Sequence, residues 1–509
     1  MLLNLKALIV VLSLSVVIFA IAKGTCVRFM SAEDFERRRN VWFVLTIAGF
    51  LSPNVWLYVL VALPVMAWAG AKDSNPIALY MMVFFVVPPI DIGIPTIGIK
   101  QLFDINQVRL MAFAILIPAL WVRIRDGQKF QLTGVDGFMI AYGLLQLVLL
   151  VPYESFTNTA RRAFLYFLDA YLVYFAFSRL GARREALTDS LATICMVACV
   201  LTPLAVFETV RHWLLFTGIN DQWGSPNSDA YLMRGESLRA QASTGHSIPL
   251  GYVLSMGIGC WMYLKAYQDR KGATVFVFAL LTVGVFVTYA RGPWLAAAFV
   301  PLVFLALGSR NASSLAKGLL AFAAAAGLTL MTPLGPSIIE NLPFIGTANQ
   351  GSVEYRQQLA ETSWRLIKEN PWFGNPFVLL QMEELRAGGI IDIVNAFANV
   401  ALFYGLTGLA LFVGAFVVGV IHAYRRLLVE RRSDDHQAIT LGASVIACML
   451  ATLLVMATAG FSWWQWPLLG LVSAYAAMQS SSESVDYQPV VRPVPWVNAR
   501  ARSNAARST

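Results

Sequence analysis

The chain is dominated by apolar runs that match the thickness of a bilayer. At 1.5 Å per residue, a helix needs about 20 mostly apolar residues to cross the hydrocarbon core. Candidate stretches lie near residues 3–22, 41–70, 77–98, 106–122, 136–152, 161–178, 189–209, 246–266, 273–290, 293–308, 317–333, 396–422, 440–460 and 465–479. Lipid offers no partner for backbone N–H and C=O groups, so continuous apolar runs of this length must satisfy them internally, as helices. The expected fold is therefore all-α, a polytopic integral membrane protein with about 12–14 transmembrane helices. At 58% hydrophobic and 13% charged residues, an ordinary soluble globule is excluded.

The net charge of +9 does not point to nucleic acid, because Lys and Arg fall in short clusters between the apolar runs. From the fifth run onward every second loop is basic: Arg123, Arg125 and Lys129; Arg179, Arg183 and Arg184; Lys265, Arg270 and Lys271; Arg310 and Lys317; Arg425, Arg426, Arg431 and Arg432. By the positive-inside rule these loops are cytoplasmic. The opposite, outward face then carries two long loops, about 210–245 and 334–395, and the turn containing Arg291. The first hundred residues resist this scheme. Lys23, Arg28, Arg37, Arg38 and Arg39 read as cytoplasmic, whereas four helices before Arg123 would put that loop outside. Either the Ser52-Pro53-Asn54 break divides 41–70 into two half-helices, or the stretch from Pro88-Pro89 to Pro95 re-enters rather than spans.

The chain divides into N-terminal helices 1–130, central helices 131–333 with the 210–245 loop, the large loop 334–395, C-terminal helices 396–479, and a tail, 480–509, too poor in apolar residues to fold. Lys6 and the run Ala7–Ala22 resemble a signal peptide, but without a convincing cleavage site the run is expected to be a first membrane helix. Cys195, Cys199, Cys260 and Cys448 lie in apolar runs and Cys26 in a loop, a spacing that suggests neither a disulfide framework nor a metal site.

Arg291 stands alone between two apolar runs, in Thr288-Tyr289-Ala290-Arg291-Gly292-Pro293. A charge at such a place costs roughly 2.5 to 3.5 kcal/mol on insertion scales and points to function. Two further outward groups accompany it: Arg234, Arg239 and His246, and Arg356, Arg365 and Lys368 on an amphipathic stretch, 353–367, before Pro371-Trp372-Phe373-Gly374. A guanidinium donates paired hydrogen bonds to phosphate oxygens and keeps its charge when desolvated, so several arginines on one face suit a diphosphate. Each has a plainer reading: headgroup anchoring for Arg291, Arg239, Arg161 and Arg162, a solvated face for Arg356 and Arg365, a helix cap for His246. Among the outward carboxylates, Asp392 stands out because its apolar segment feeds the next helix; partial burial would suit it to base chemistry, while the helix dipole explains it equally well.

The series Thr288-Tyr289-Ala290-Arg291-Gly292, a long outward loop, Arg356, Pro371-Trp372-Phe373-Gly374, Val394-Asn395 and Gly405-Leu406-Thr407-Gly408 resembles the O-antigen ligase and Wzy polymerase superfamily. The resemblance covers mainly residues 239–420. It implies a metal-independent, inverting glycosyltransferase without cofactor, in the bacterial inner membrane with its active site on the periplasmic side. The implied partners are an undecaprenyl-diphosphate-linked glycan donor, a glycan acceptor, the lipid bilayer, and chain-length or export proteins, but no nucleic acid. On this resemblance Arg239 and Arg291 hold the diphosphate, Asp392 is the candidate base, and Arg356, His246, Arg161, Arg162 and Asn395 are candidate substrate contacts. Trp294 and Phe286 are candidates for a lipid-tail groove. Ligases of this kind carry His-Asn where this chain has Val394-Asn395, and valine takes no proton. That departure favours polymerisation of lipid-linked repeat units over ligation of a finished glycan. From another class, a lipid-linked oligosaccharide flippase would need polar groups deep in the membrane, for which Asp169, Glu208 and Asp91 are the candidates.

Overall fold

The computed structural model describes residues 2–93, 104–224, 231–268, 271–309, 311–330, 350–386, 391–433, 435–461 and 464–478. The expected tail and the Pro95 end of the expected re-entrant stretch lie outside these. Nearly everything described is helical; the strands form two short antiparallel hairpins, Asp91–Gly93 with Asp104–Asn106 and Met233–Arg234 with Ser237–Leu238. Among the described residues nine helices are long and apolar enough to cross a membrane, and three shorter apolar ones accompany them, at Gly134–Leu150, Gly272–Val287 and Leu315–Ala324. The protein is an all-α polytopic membrane protein.

Two of the expected spans differ. The 41–70 run is two helices, Ala32–Leu51 and Val55–Lys72, of 20 and 18 residues rather than two half-helices, and of the two Val55–Lys72 is among the nine apolar enough to cross. Pro53 lacks an amide proton, and the Asn54 side chain caps the second helix by accepting from Leu57 N at 3.0 Å. The 77–98 run is helical only over Pro76–Val83 and then passes through the proline pair into the first hairpin.

Side-chain contacts settle the course of the N-terminal passes. The Asn4 amide donates to Gly218 O at 3.2 Å, and Ser52 O accepts from Gln222 Nε2 at 2.8 Å, so both ends meet the loop that follows Arg211. At the other face Arg28 donates to Tyr267 O at 2.6 Å, and Arg38 bridges Asp73 and Asp189, both at 2.6 Å, with no solvent exposure of its own. The loop bearing Lys23 to Arg39 thus shares a face with Arg183, Arg184 and Lys265. Counting Ala32–Leu51 as a pass of its own, separate from Val55–Lys72, removes the conflict in the basic-loop pattern. Cys26 ends the first helix and is buried, so the expectation of a loop cysteine is corrected.

The long helix Ala396–Arg432 is broken at Gly405, whose φ of +66° and ψ of −171° belong to a region essentially reserved for glycine. The Pro371–Gly374 turn inserts there: Leu406 N donates to Pro371 O at 2.7 Å, Thr407 N to Trp372 O at 3.3 Å, and Asn375 N to Leu402 O at 2.8 Å. A Cβ on Gly405 would lie 2.3 Å from the Trp372 carbonyl, and one on Gly374 2.6 Å from Leu402 O. The two sequence motifs are therefore one backbone-to-backbone joint. It ties the amphipathic helix Gln350–Glu369 to the membrane helix, with Leu359, Leu366, Ala401 and Leu402 in the small core between them.

Candidate active site

Arg239 follows the second hairpin at the end of the first long loop. Its amide donates to Leu232 O at 2.9 Å, the next amide, of Ala240, to Val287 O at 3.1 Å, and its Nε to Thr288 O at 3.3 Å. The loop is thereby laid along the segment that leads to Arg291. Beneath it, Glu208 is fully buried: Oε2 accepts from Gln241 N at 2.8 Å and Ala242 N at 2.7 Å, and Oε1 from Leu215 N at 2.9 Å. Ala242 takes a φ of +45°, a conformation that costs about 1–3 kcal/mol in a residue with a Cβ and must be held by its surroundings.

Arg291 opens the helix Arg291–Gly308, as expected of a residue between two spans. The turn before it is similarly constrained, with Tyr289 at φ +48°. Ser255 Oγ donates to Pro293 O at 2.9 Å and Trp294 Nε1 to Val285 O at 2.9 Å. A Cβ on Gly292 would meet Thr458 Oγ1 at 2.7 Å, so the helix His436–Ala459 packs directly behind the arginine. Trp294 is only 9% exposed and stacks edge-on against Phe286, which places it in the protein core; the expected lipid-tail groove at this tryptophan is corrected.

Arg356 reaches the same region from the Gln350–Glu369 helix. Arg365, nine positions on, lies half a turn round and faces away, and Lys368 sits over the Trp364 ring at 5.9 Å. Four arginines thus act on one another. Burial, followed by the charges of Arg234, Arg356 and Arg291, pushes Arg239 down to about 10. Burial, with Arg291 and Arg356, does the same to Arg234. Both remain cationic at neutral pH. None of Arg234, Arg239 and Arg356 is paired with an acid among the described residues, and Arg234 Nε and Nη1 are buried without a hydrogen-bond partner. Arg234, Arg239 and Arg356, like charges held together without an acid among the described residues, form a site whose energy falls when an anion enters.

The remaining expected residues are placed variously. His246 caps the helix Ser247–Leu264, its Nδ1 accepting from Ile248 N at 3.2 Å; burial, then Arg239, lowers it to about 4. The ring is therefore neutral at pH 7, with Nδ1 taken up as the cap acceptor and the proton on Nε2. Asn395 caps the Ala396–Arg432 helix, accepting from Phe397 N at 2.9 Å and Ala398 N at 3.0 Å. Asp392 is exposed, so the partial burial expected for it does not occur. Arg162 pairs with Glu154 at 3.4 Å and lines a separate cavity; Arg161, one residue before it, is half-buried. Neither joins the arginine cluster. Of the deep acids, Glu208 anchors the Arg239 loop, Asp169 is ion-paired with Arg109 at 2.5 Å, and Asp91 lies in the first hairpin. The role of Glu208 had no sequence signal, because its partners are backbone amides.

Residues 276–413 match the family model described as O-Antigen ligase, a match that supports kinship with O-antigen ligase-like membrane proteins. The matched region contains Arg291, Arg356 and the Gly374–Gly405 joint, while Arg234 and Arg239 precede it. The match supports ligase- or polymerase-type glycosyl transfer in general. A search of curated proteins finds no match.

Proposed function

We propose that the protein is a membrane glycosyltransferase that polymerises undecaprenyl-diphosphate-linked glycan repeat units at the periplasmic face, in O-antigen or exopolysaccharide synthesis. The observation that carries this reading is the convergence of Arg234, Arg239, Arg291 and Arg356 from three chain segments, mutually repelling and set in rigid backbone. In the reaction an acceptor hydroxyl oxygen attacks the anomeric carbon from the face opposite the diphosphate. The new C–O bond forms as the bond to the diphosphate breaks, and its electron pair leaves with the diphosphate. Charge on that leaving group grows toward the transition state, so prearranged arginines stabilise it more than the ground state. This is a metal-independent, inverting transfer. The hydroxyl proton passes to Asp392 or to the departing diphosphate, since the neutral His246 already uses Nδ1 in its cap.

Val394 at the position of the ligase histidine supports polymerisation over ligation of a finished glycan to a lipid or protein. Glu208 and Asp169 are satisfied by their own partners and Asp91 is exposed in the first hairpin, which weighs against the flippase reading. The lipid-linked products of a strain lacking the protein test the choice. Single repeat units on undecaprenyl diphosphate are expected; full-length polymer on the same carrier would instead make the protein a ligase.

A further inference from the structure

A cavity of about 440 Å³ opens between the helices Gly134–Leu150, Phe156–Leu180, Ala396–Arg432 and Gln465–Ala477, in the size range of small-ligand pockets. Besides aliphatic side chains and the charged Arg162 and Asp169, its lining offers groups of two kinds. Aromatic rings include Tyr142, Tyr404, Phe461 and Trp466, with Tyr142 and Tyr404 edge-to-face at 5.8 Å. Between them lie the side-chain amides of Gln146 and Asn399 and the hydroxyls of Tyr142 and Tyr404, none of which has a hydrogen-bond partner among the described residues. A pocket for a polyprenyl tail would gain nothing from four unpaired polar groups, each of which costs free energy against hydrocarbon. A sugar ring satisfies both kinds: its C–H faces pack on aromatic rings and its hydroxyls donate to and accept from amides and phenols.

We propose that this cavity binds a sugar ring of the glycan substrate, at a subsite distinct from the arginine cluster. The inference rests on the proposed glycosyl transfer for the source of that glycan. The connecting elements tie the two sites together. Tyr404 immediately precedes the Gly405 joint that holds the Arg356 helix, and Phe461 follows the helix whose Thr458 packs on Gly292. Arg162, at the rim, belongs to this subsite.

The full-length protein in nanodiscs is titrated with two probes: undecaprenyl diphosphate without sugars, and lipid-free oligosaccharide released by mild acid from the host's surface polysaccharide. Tyr404→Phe and Asn399→Ala, with unchanged thermal midpoints, should weaken oligosaccharide binding tenfold or more and leave undecaprenyl diphosphate binding intact; Arg239→Ala should do the reverse. A selective rise in KM for acceptor or for donor in the pocket variants assigns the ring to one or the other. Oligosaccharide binding insensitive to both pocket variants, or loss of undecaprenyl diphosphate binding in them, overturns the subsite. Wild-type transfer by Arg291→Ala, with pocket-dependent oligosaccharide binding retained, would remove the proposed mechanism and leave the subsite standing.

Discussion

Replacing Glu208 by glutamine keeps the side chain's shape and removes the acceptor pattern on which the Arg239 loop depends. The carboxylate takes three backbone N–H bonds, from Leu215, Gln241 and Ala242. An amide whose oxygen serves Gln241 and Ala242 must point its NH2 at the Leu215 amide, donor against donor. One charge-assisted bond is then lost, about 1.5–3 kcal/mol, and two become neutral bonds of roughly half the strength. The loss of local stability is on the order of 3–6 kcal/mol, or at least about 100-fold in the opening equilibrium of the loop. Hydrogen exchange of the protein in nanodiscs should therefore accelerate about 100-fold or more in peptides covering 239–246. Displacement of Arg239 by about 1 Å would lower transfer on the order of 100-fold. Wild-type protection of that loop together with wild-type transfer would refute the anchoring role. Intact protection with a changed pH dependence of transport would instead identify Glu208 as a transporter's proton site.

Gly405→Ala should break the two joint bonds that follow it, from Leu406 N and Thr407 N: about 1–3 kcal/mol of backbone strain plus those two bonds at about 0.5–1.5 kcal/mol each gives roughly 2–6 kcal/mol. Limited proteolysis should then cut faster within 350–386 and transfer should fall, whereas unchanged cleavage would show that the joint is dispensable. His246 is lowered from 6.5 to about 4 on folding, so the unfolded chain binds the extra proton between those values and the native state loses stability as pH falls through that window. The full effect is about 3 kcal/mol. His246→Asn keeps a good cap and should flatten this acid limb of the unfolding curve; an unchanged limb would assign it to other groups.

Much of the architecture was legible because periodicity and caps are local signals. The expected runs near 136–152 and 396–422 fall on the helices Gly134–Leu150 and Ala396–Arg432, whose starts the side chains of Thr133 and Asn395 cap in the structure. The N-terminal topology was not legible, since it depends on Arg38 meeting Asp189 across the fold and on a break that yields two full helices. The cluster was readable in part. Arg239, Arg291 and Arg356 do act on one another, but that Arg365 turns away from Arg356 follows only from the helical phase. Arg162 could be named from sequence but not assigned to a separate cavity, whose walls come from four distant helices.

The central claim, that the arginines stabilise a departing diphosphate outside the membrane barrier, is tested most directly by locating the substrate left behind in cells carrying Arg291→Ala. The account predicts loss of polymer, with lipid-linked repeat units accumulating on the outer leaflet, where added glycosidases reach them. Accumulation on the cytoplasmic leaflet, protected until the membrane is opened, would contradict it.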